Sequence, residues 1–491
     1  MKLIKIAPLA LAMMLSGCAV GPDYTQPTSS LESEYLYQGV QGTQAGKYAQ
    51  QTDNAWWKSF EDPTLNQLVV DAQNQAIPLK IAAQRIRMAQ SYQSTIESFK
   101  VPTVNIGAGF GNFQISENDP LLGGAITAKH PVSGEELGLV DDNNSAFFAG
   151  ATIGWEVDLF GRIDRQASAA AIRKEQMVIM REGLTTLITS DVIHNYLQMR
   201  GAQERKEIAL KTSDDQRKTL ELVKLMVKSG YGSKLDESRA KAALAATKAV
   251  IPQLEIAENV HLQRLAILLG ETPRQSHSRF EEDKPLPNFS GIIPTGLPAD
   301  LLQRRPDIRI AEREMAALNE ERAAAIAAQY PKVFLTGSPG VLAKDFDDLF
   351  NSDSVSWLGS VGVSWNVFDG GRGDAIVEMQ EARFDASVLS YQHSVIAAFG
   401  EVETLLHGYG QSQQYVALVS EASAETTNAV NKAQSLYKAG LSDYLSILDA
   451  QRQQNMMRDR VVAAKLQTAN MTIALHKALG GNWQVNDAIS Q

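Results

Sequence analysis

The chain has 491 residues, of which 44% are hydrophobic and 21% charged, with a net charge of −10. This is the composition of a folded chain, but an acidic one with no Lys/Arg-rich run, so it lacks the basic patch that nucleic-acid binding requires. Its single cysteine, Cys18, excludes an internal disulfide and any thiolate metal cluster.

The first segment, 1–17, has the layout of a secretion signal. Lys2 and Lys5 precede an apolar stretch from Ile6 to Leu15 that is too short to span a bilayer. It ends in Leu15-Ser16-Gly17-Cys18, which resembles a bacterial lipobox. Small residues admit the signal peptidase, and the Cys18 thiol receives a diacylglyceryl group. Ala19 follows instead of the Asp that retains lipoproteins at the inner membrane, which points to the outer membrane. Beyond the signal there is no run of 18 apolar residues. Any membrane crossing must therefore be made by a closed β-barrel.

An internal repeat organises the rest. Trp155-Glu-Val-Asp-Leu-Phe-Gly-Arg162 resembles Trp365-Asn-Val-Phe-Asp-Gly-Gly-Arg372. Val227-Lys-Ser-Gly230 resembles Tyr437-Lys-Ala-Gly440, and Leu268-Leu269-Gly270 resembles Ala478-Leu479-Gly480. All three pairs share one offset of 210 residues. Upstream, Ile77-Pro78 resembles Arg305-Pro306, and Val101-Pro102 resembles Tyr330-Pro331. Pro102 lies 53 positions before Trp155, whereas Pro331 lies 34 before Trp365, so the first copy carries an insert between Asn112 and Ser145. That insert is rich in Gly, Pro, Asn and Asp and reads as an exposed loop.

Each copy predicts the same order: a helix, two strands, a very long helix, a tight turn and a shorter helix. The first lead-in helix is expected over 63–99, opened by Asp62-Pro63; its counterpart is expected over 298–329. Strands are expected over about 103–113, 145–159, 332–342 and 357–367. In the first, Val104, Ile106, Ala108 and Phe110 alternate with Asn105, Gly107, Gly109 and Gly111. An apolar face opposite a small or polar one suits a lipid-facing strand around a wet lumen, and equally suits a half-buried soluble sheet. Asp164 to Ser229 contains no proline, and as a helix it would span about 100 Å. Gly373 to Lys438 has a similar length, and the return helices, about 235–269 and 443–479, are roughly half as long. One long helix can thus lie antiparallel to two half-length ones stacked end to end, with Gly230 and Gly440 marking one far tip.

Four strands cannot close a barrel, and a membrane tolerates no open edge. Eight strands from two chains would be filled by side chains. Twelve strands from three chains leave a water-filled bore, so a conduit needs at least a homotrimer. The expected fold is mostly α with a membrane β-barrel: a trimeric 12-stranded β-barrel continued by a 12-helix periplasmic α-barrel, with two repeats per chain. The expected division is a signal at 1–17, a lipidated equatorial segment at 18–62, repeat one at 63–270, an equatorial connector at 271–297, repeat two at 298–480 and a tail at 481–491.

Several motifs carry a family resemblance. Gly21-Pro22-Asp23-Tyr24, Trp56-Trp57-Lys58-Ser59-Phe60-Glu61-Asp62-Pro63-Thr64-Leu65, Leu302-Gln-Arg-Arg-Pro-Asp-Ile-Arg309, Trp365-Asn-Val-Phe-Asp-Gly-Gly371 and Leu445-Ser-Ile-Leu-Asp-Ala-Gln-Arg452 resemble the outer-membrane factors of tripartite efflux pumps (the TolC and OprM type). The resemblance covers nearly the whole mature chain. It implies an outer-membrane, lipid-anchored trimer serving as the passive exit duct for drugs, bile salts or other toxic small molecules. Its partners would be a periplasmic adaptor protein, a proton-driven inner-membrane pump and the outer-membrane lipid. No cofactor is implied beyond the lipid on Cys18.

The resemblance also nominates site residues. Asp449 and Asp236 match acidic positions that ring the periplasmic aperture, Tyr437 matches a tip tyrosine that often joins them, and Ser446 stands where some relatives have a further Asp. Ser442 replaces an Arg that locks the tip in some relatives, so the known locking bridge is not expected here. A carboxylate presented three times around an axis repels anions and can hold a cation; near a helix start it can equally serve as a cap. Gly230 and Gly440 are expected to take φ > 0 at the helix ends and to form the turns that receive the adaptor. Trp56 and Trp57 read as packing residues. The seven histidines are scattered, with no catalytic or metal-ligand spacing and no G-x-S-x-G, so neither catalysis nor a metal site is expected. Two other readings remain open: an exit duct for protein secretion, and a periplasmic coiled-coil lipoprotein without lipid-facing strands.

Overall fold

The computed structural model describes residues 20–27, 32–45, 55–120, 123–129, 131, 133, 143–280, 284–289 and 292–481. Cys18, the segment 1–17 and the tail beyond 481 lie outside the described residues. The helices are α1 (Pro63–Gln75), α2 (Ile77–Glu97), α3 (Gly123–Ile126), α4 (Arg162–Lys228), α5 (Lys234–Leu269), α6 (Pro273–Arg279), α7 (Leu301–Arg304), α8 (Pro306–Ala327), α9 (Arg372–Lys438) and α10 (Tyr444–Ala478). The strands are β1 (Thr43–Ala45), β2 (Thr103–Gln114), β3 (Asn143–Val157), β4 (Ile293–Gly296), β5 (Lys332–Ala343) and β6 (Val355–Ser364). The long helices α4 and α9 have 67 residues each.

The lead-in helices differ from expectation, because each is broken. Ala76 turns extended (ψ 122°) between α1 and α2, and Arg305 does the same (ψ 121°) between α7 and α8. Arg305 immediately precedes Pro306, whose ring disfavours helical backbone at the residue before it. Pro78 sits in the first turn of α2, where its missing N–H has no partner to lose. Asp62 caps α1 as its sequence suggests, its Oδ1 accepting from the N–H groups of Thr64 (2.8 Å) and Leu65 (3.2 Å).

The chain forms two compact units, and neither coincides with a repeat. The first comprises Met1–Thr25, Ala89–Lys174 and Met315–Ser387. It holds one four-stranded antiparallel sheet in the order β2-β3-β5-β6. Thr103 pairs with Gly154, Trp155 with Leu335, and Leu335 with Val361. Its apolar side chains are open: Ile106 is 88% exposed, Trp357 79% and Val361 73%. Among the described residues, the outer edges of β2 and β6 have no strand beside them. A soluble half-buried sheet would cover one face with a core; this sheet leaves it bare.

The segment behind Cys18 is tied to this unit. The Val20 N–H donates to the Phe160 carbonyl (3.2 Å), and Asn319 Nδ2 donates to the Pro22 carbonyl (2.9 Å). Asp23 forms an ion pair with Arg165 (2.8 Å), which also bonds Glu320. Gly21 has φ 106°, and a Cβ there would lie 2.7 Å from that of Ala323, so the close crossing admits only glycine.

The second unit comprises Gln26–Met88, Glu175–Glu314 and Val388–Gln491. Its core gathers Leu65, Leu68 and Val69 of α1, Val192, Ile193 and Tyr196 of α4, Leu265 and Leu269 of α5, and Leu466 and Ile473 of α10. Three-residue β1 pairs in parallel with β4, Thr43 opposite Ile293. Such short strands carry no periodic signal, and the sequence did not predict them.

The turns α4–α5 and α9–α10 close as Schellman motifs. The Tyr231 N–H returns to the Met226 carbonyl (2.9 Å) around Gly230 (φ 82°), and the Leu441 N–H returns to the Leu436 carbonyl (2.9 Å) around Gly440 (φ 70°). Replacing either glycine with alanine is expected to lower stability by about 1 kcal/mol, read as a fall in melting temperature of the purified protein. No Cβ clash contributes, since nothing lies within 4 Å of either position.

Candidate functional site

Of the tip residues nominated by the sequence, Tyr437 enters a buried cluster of the second unit. Leu220 and Val223 of α4, Ala240 of α5, Tyr437 of α9, and Tyr444, Ile447 and Leu448 of α10 pack together. The rings of Tyr437 and Tyr444 stand 6.2 Å apart at 63°. Burial, then the nearby Asp236 charge, pushes the Tyr437 phenol up. Tyr444 is raised by burial first, then by Tyr437 and Asp236.

Both return helices begin with a side-chain N-cap, and the repeat exchanges its two chemistries. Ser233 caps α5, accepting from the Asp236 N–H (3.1 Å), while its hydroxyl donates to Asp236 Oδ2 (2.7 Å). In α10, 210 positions on, the acid comes first. Asp443 Oδ1 accepts from the Ser446 N–H (3.1 Å) and hydroxyl (2.7 Å). These bonds hold the Asp443 carboxyl below the usual carboxylate range. Ser446 therefore spends both donors on its own helix start.

The next pair of equivalent positions separates the tips electrically. Arg239 in α5 corresponds to Asp449 in α10. Arg239 Nη1 lies 3.5 Å from Asp236 Oδ1 and adds to the field on Asp443. Glu237 is likewise offset by Lys241 and Lys234, which push its carboxyl down to about 2. Asp449 is exposed and accepts only from Gln453 Nε2 (3.0 Å), with no cation partner among the described residues. The structure thus puts the Asp236 charge near Tyr437, makes Ser446 the donor to the Asp443 cap and, among the described residues, leaves Asp449 without a cation partner. The sequence reading missed Arg239, Asp443 and Tyr444. The repeat offset, applied to single residues, would have found the first two.

A second polar assembly lies inside the other core of this unit. Arg200, 1% exposed, donates from Nε to the Tyr196 hydroxyl (3.1 Å) and from Nη1 to Gln203 (2.6 Å). Gln203 Nε2 donates to Glu258 (2.7 Å), which pairs with Lys206 (2.8 Å). The Tyr196 hydroxyl donates to Asp62, the cap of α1. Burial first, then that hydrogen bond, pushes the Tyr196 phenol far up. The arrangement ties α1, α4 and α5 together and offers no nucleophile to solvent.

The family profile described as outer membrane efflux protein matches residues 68–271 and 297–481. The chain belongs to that family. This efflux protein is 29% identical over 488 residues to the solvent efflux pump outer membrane protein SrpC of Pseudomonas putida, covering 98% of this chain and 99% of that one. It is 25% identical over 484 residues to the cation efflux system protein CusC of Escherichia coli, covering 98% and 99%. The solved outer-membrane channel OprN superposes with a TM-score of 0.85 at 30% identity, over 95% of this chain and 100% of that one. The MtrE channel of Neisseria gonorrhoeae, at 23% identity, shares the fold with a TM-score of 0.80 over 95% and 98%. The efflux protein is accordingly an outer-membrane channel component with the helical-barrel fold of that family, and a transport protein instead of an enzyme.

Proposed function

We propose that three copies of this chain close their sheets into one twelve-stranded barrel and form the passive exit duct of a tripartite efflux pump. A periplasmic adaptor and a proton-driven inner-membrane pump are its partners. The observation that carries this reading is the four-stranded sheet itself, with two edges unpaired among the described residues and an exposed apolar face, which is stable in a membrane only once closed. The kinship with a solvent efflux protein supports small apolar toxic molecules as cargo. A diacylglyceryl group on Cys18 anchors the chain; the bond from Val20 to Phe160, just past the end of β3, supports an anchor beside the sheet's base.

At the far tip, Asp449 is the charge that faces the aperture, with Asp236 and Tyr437 holding the helix pair around it. The turns at Gly230 and Gly440 receive the adaptor. Asp449→Ala is expected to raise single-channel conductance in a planar bilayer and reduce cation preference; an unchanged conductance removes Asp449 from the gate. The cargo is identified by deleting the gene alongside each candidate pump and measuring drug and bile-salt accumulation.

A further inference from the structure

The two copies of the repeat keep one strand register. Pro331 lies 229 positions after Pro102, and Trp365 lies 210 after Trp155. Carried over by those two offsets, the β2·β3 pair Thr103–Gly154 becomes Lys332–Ser364, which is the pair at the base of β5·β6. The contacts below it are equivalent too. The Trp155 indole donates to the Lys100 carbonyl (3.1 Å), and the Trp365 indole donates to the Gln329 carbonyl (2.9 Å). Lys100 bonds Asp164 (2.6 Å), and their counterparts Gln329 and Asp374 bond at 3.0 Å.

Copy one joins copy two through β3 and β5. The end of β3 is strand through β5 alone: Trp155 lies opposite Leu335, Glu156 opposite Phe334 and Val157 opposite Val333, whereas pairing with β2 stops at Gly154. The equivalents of those residues in copy two are Trp365, Asn366 and Val367. The alternation of the sequence reaches Val367, but β6 stops at Ser364. Beyond it Trp365 is 58% exposed and Val367 80%. Among the described residues, this segment lacks the neighbouring strand that β5 supplies to β3.

We propose that β6 pairs with β2 of a partner subunit in the register that β3 and β5 already use, and that the pairing extends β6 through Val367. The same two offsets turn the β3·β5 pairs into the pairs of this seam. Val363 falls opposite the partner subunit's Ala108, Trp365 opposite the partner subunit's Ile106, Asn366 opposite the partner subunit's Asn105 and Val367 opposite the partner subunit's Val104. The proposal rests on the reading that three copies close into one barrel, and adds the register of the seam between them. The side-chain pattern agrees: Val104, Ile106 and Ala108 share the apolar face of β2, so each meets an apolar residue, and a slip of one position would set them against small or polar ones. A second copy suits this edge better than lipid does. It brings the equivalent of the strand that already pairs with β3, whereas acyl chains offer no donors or acceptors to open backbone.

The test is disulfide trapping in the full chain. Within one chain β3 and β5 separate β2 from β6, so a disulfide between those edges joins two chains. Val363→Cys is combined in turn with Ala108→Cys, Val104→Cys or Asn112→Cys, and each protein is oxidised in outer-membrane vesicles. Opposite residues stand about 4.5–5.5 Å apart at Cα, within disulfide reach, and a shift of four residues adds about 13 Å along the strand. The Ala108→Cys combination should give roughly tenfold more covalent dimer and trimer than the other two. Wild type, with Cys18 alone, sets the background. The proposal is overturned if the yield peaks with Val104→Cys or Asn112→Cys, or if all three combinations stay at background while the protein runs as an oligomer. Hydrogen exchange of wild type checks the extension of β6 without any substitution. Residues 365–367 should exchange roughly tenfold more slowly in the oligomer than in the dissociated chain; equal exchange overturns the extension. A wild-type chain that stays monomeric in the membrane refutes the barrel reading, and this seam with it.

Discussion

Arg200→Ala is expected to lower stability by about 3–5 kcal/mol, the largest effect of any single substitution considered. Three costs coincide there. Removing the guanidinium leaves the Tyr196 hydroxyl and Gln203 with unmet partners in a buried site. It removes a cation lying 5.1 Å from the Tyr196 ring centroid and 5.9 Å from that of Phe280. It also leaves a cavity in the core that joins α1 to α4. Arg200→Lys keeps the charge but loses the planar fork and the stacking, so it should recover only part of the loss. Thermal melting of the detergent-purified protein checks the series. A lysine variant as stable as wild type would show that charge alone matters, and an alanine variant within 1 kcal/mol of wild type would refute the role assigned to this residue.

The second large effect is acid sensitivity from His476. Its ring stacks on Trp56 at 4.2 Å and 9°, with Phe289 edge-on at 6.1 Å. Its Nε2 has no partner among the described residues, and burial pushes its pKa from 6.5 down to about 3. The folded state therefore resists a proton that the unfolded chain accepts. The unfolded chain binds more protons between pH 6.5 and 3, so stability is complete above 6.5 and falls as pH drops through that window. Each pH unit costs at most about 1.4 kcal/mol, giving a loss of about 2–3 kcal/mol by pH 4.5. His476→Phe preserves the stack and removes the titration. Melting curves at pH 7.5 and 4.5 should show the variant losing less than wild type on acidification. Equal losses would assign the acid sensitivity to other groups.

The long helices were legible because nothing interrupts them: Asp164 to Ser229 carries no proline, and the structure draws α4 within two residues of that span. The sheet was legible because alternation has a period of two and because the repeat supplied each strand twice. The tip glycines were legible because a helix stop followed by a new helix demands a positive φ. Trp56 and Trp57 are packing residues as expected, Trp56 on His476 and Trp57 in the core.

What the sequence missed depends on contacts between distant segments. The breaks at Ala76 and Arg305 were hidden because proline in a first turn looks like proline at a helix start. Arg200 and His476 sit in helices where a charged or polar residue normally faces water, and only the packing of other segments around them makes them buried. Ser446 looked like a lost carboxylate until its neighbour Asp443 proved to be the N-cap that accepts from it.

By itself the sequence determined the repeat, the element order, the barrel-like strands and the kinship with outer-membrane ducts, because periodicity and one constant offset are local or one-dimensional properties. Only the tertiary structure decided which charges are neutralised: Asp236 beside Arg239, Arg162 with Glu156 and, among the described residues, Asp449 without a cation. Neutralisation depends on distances of a few ångströms between side chains, since Coulomb energy and desolvation both change steeply over that range.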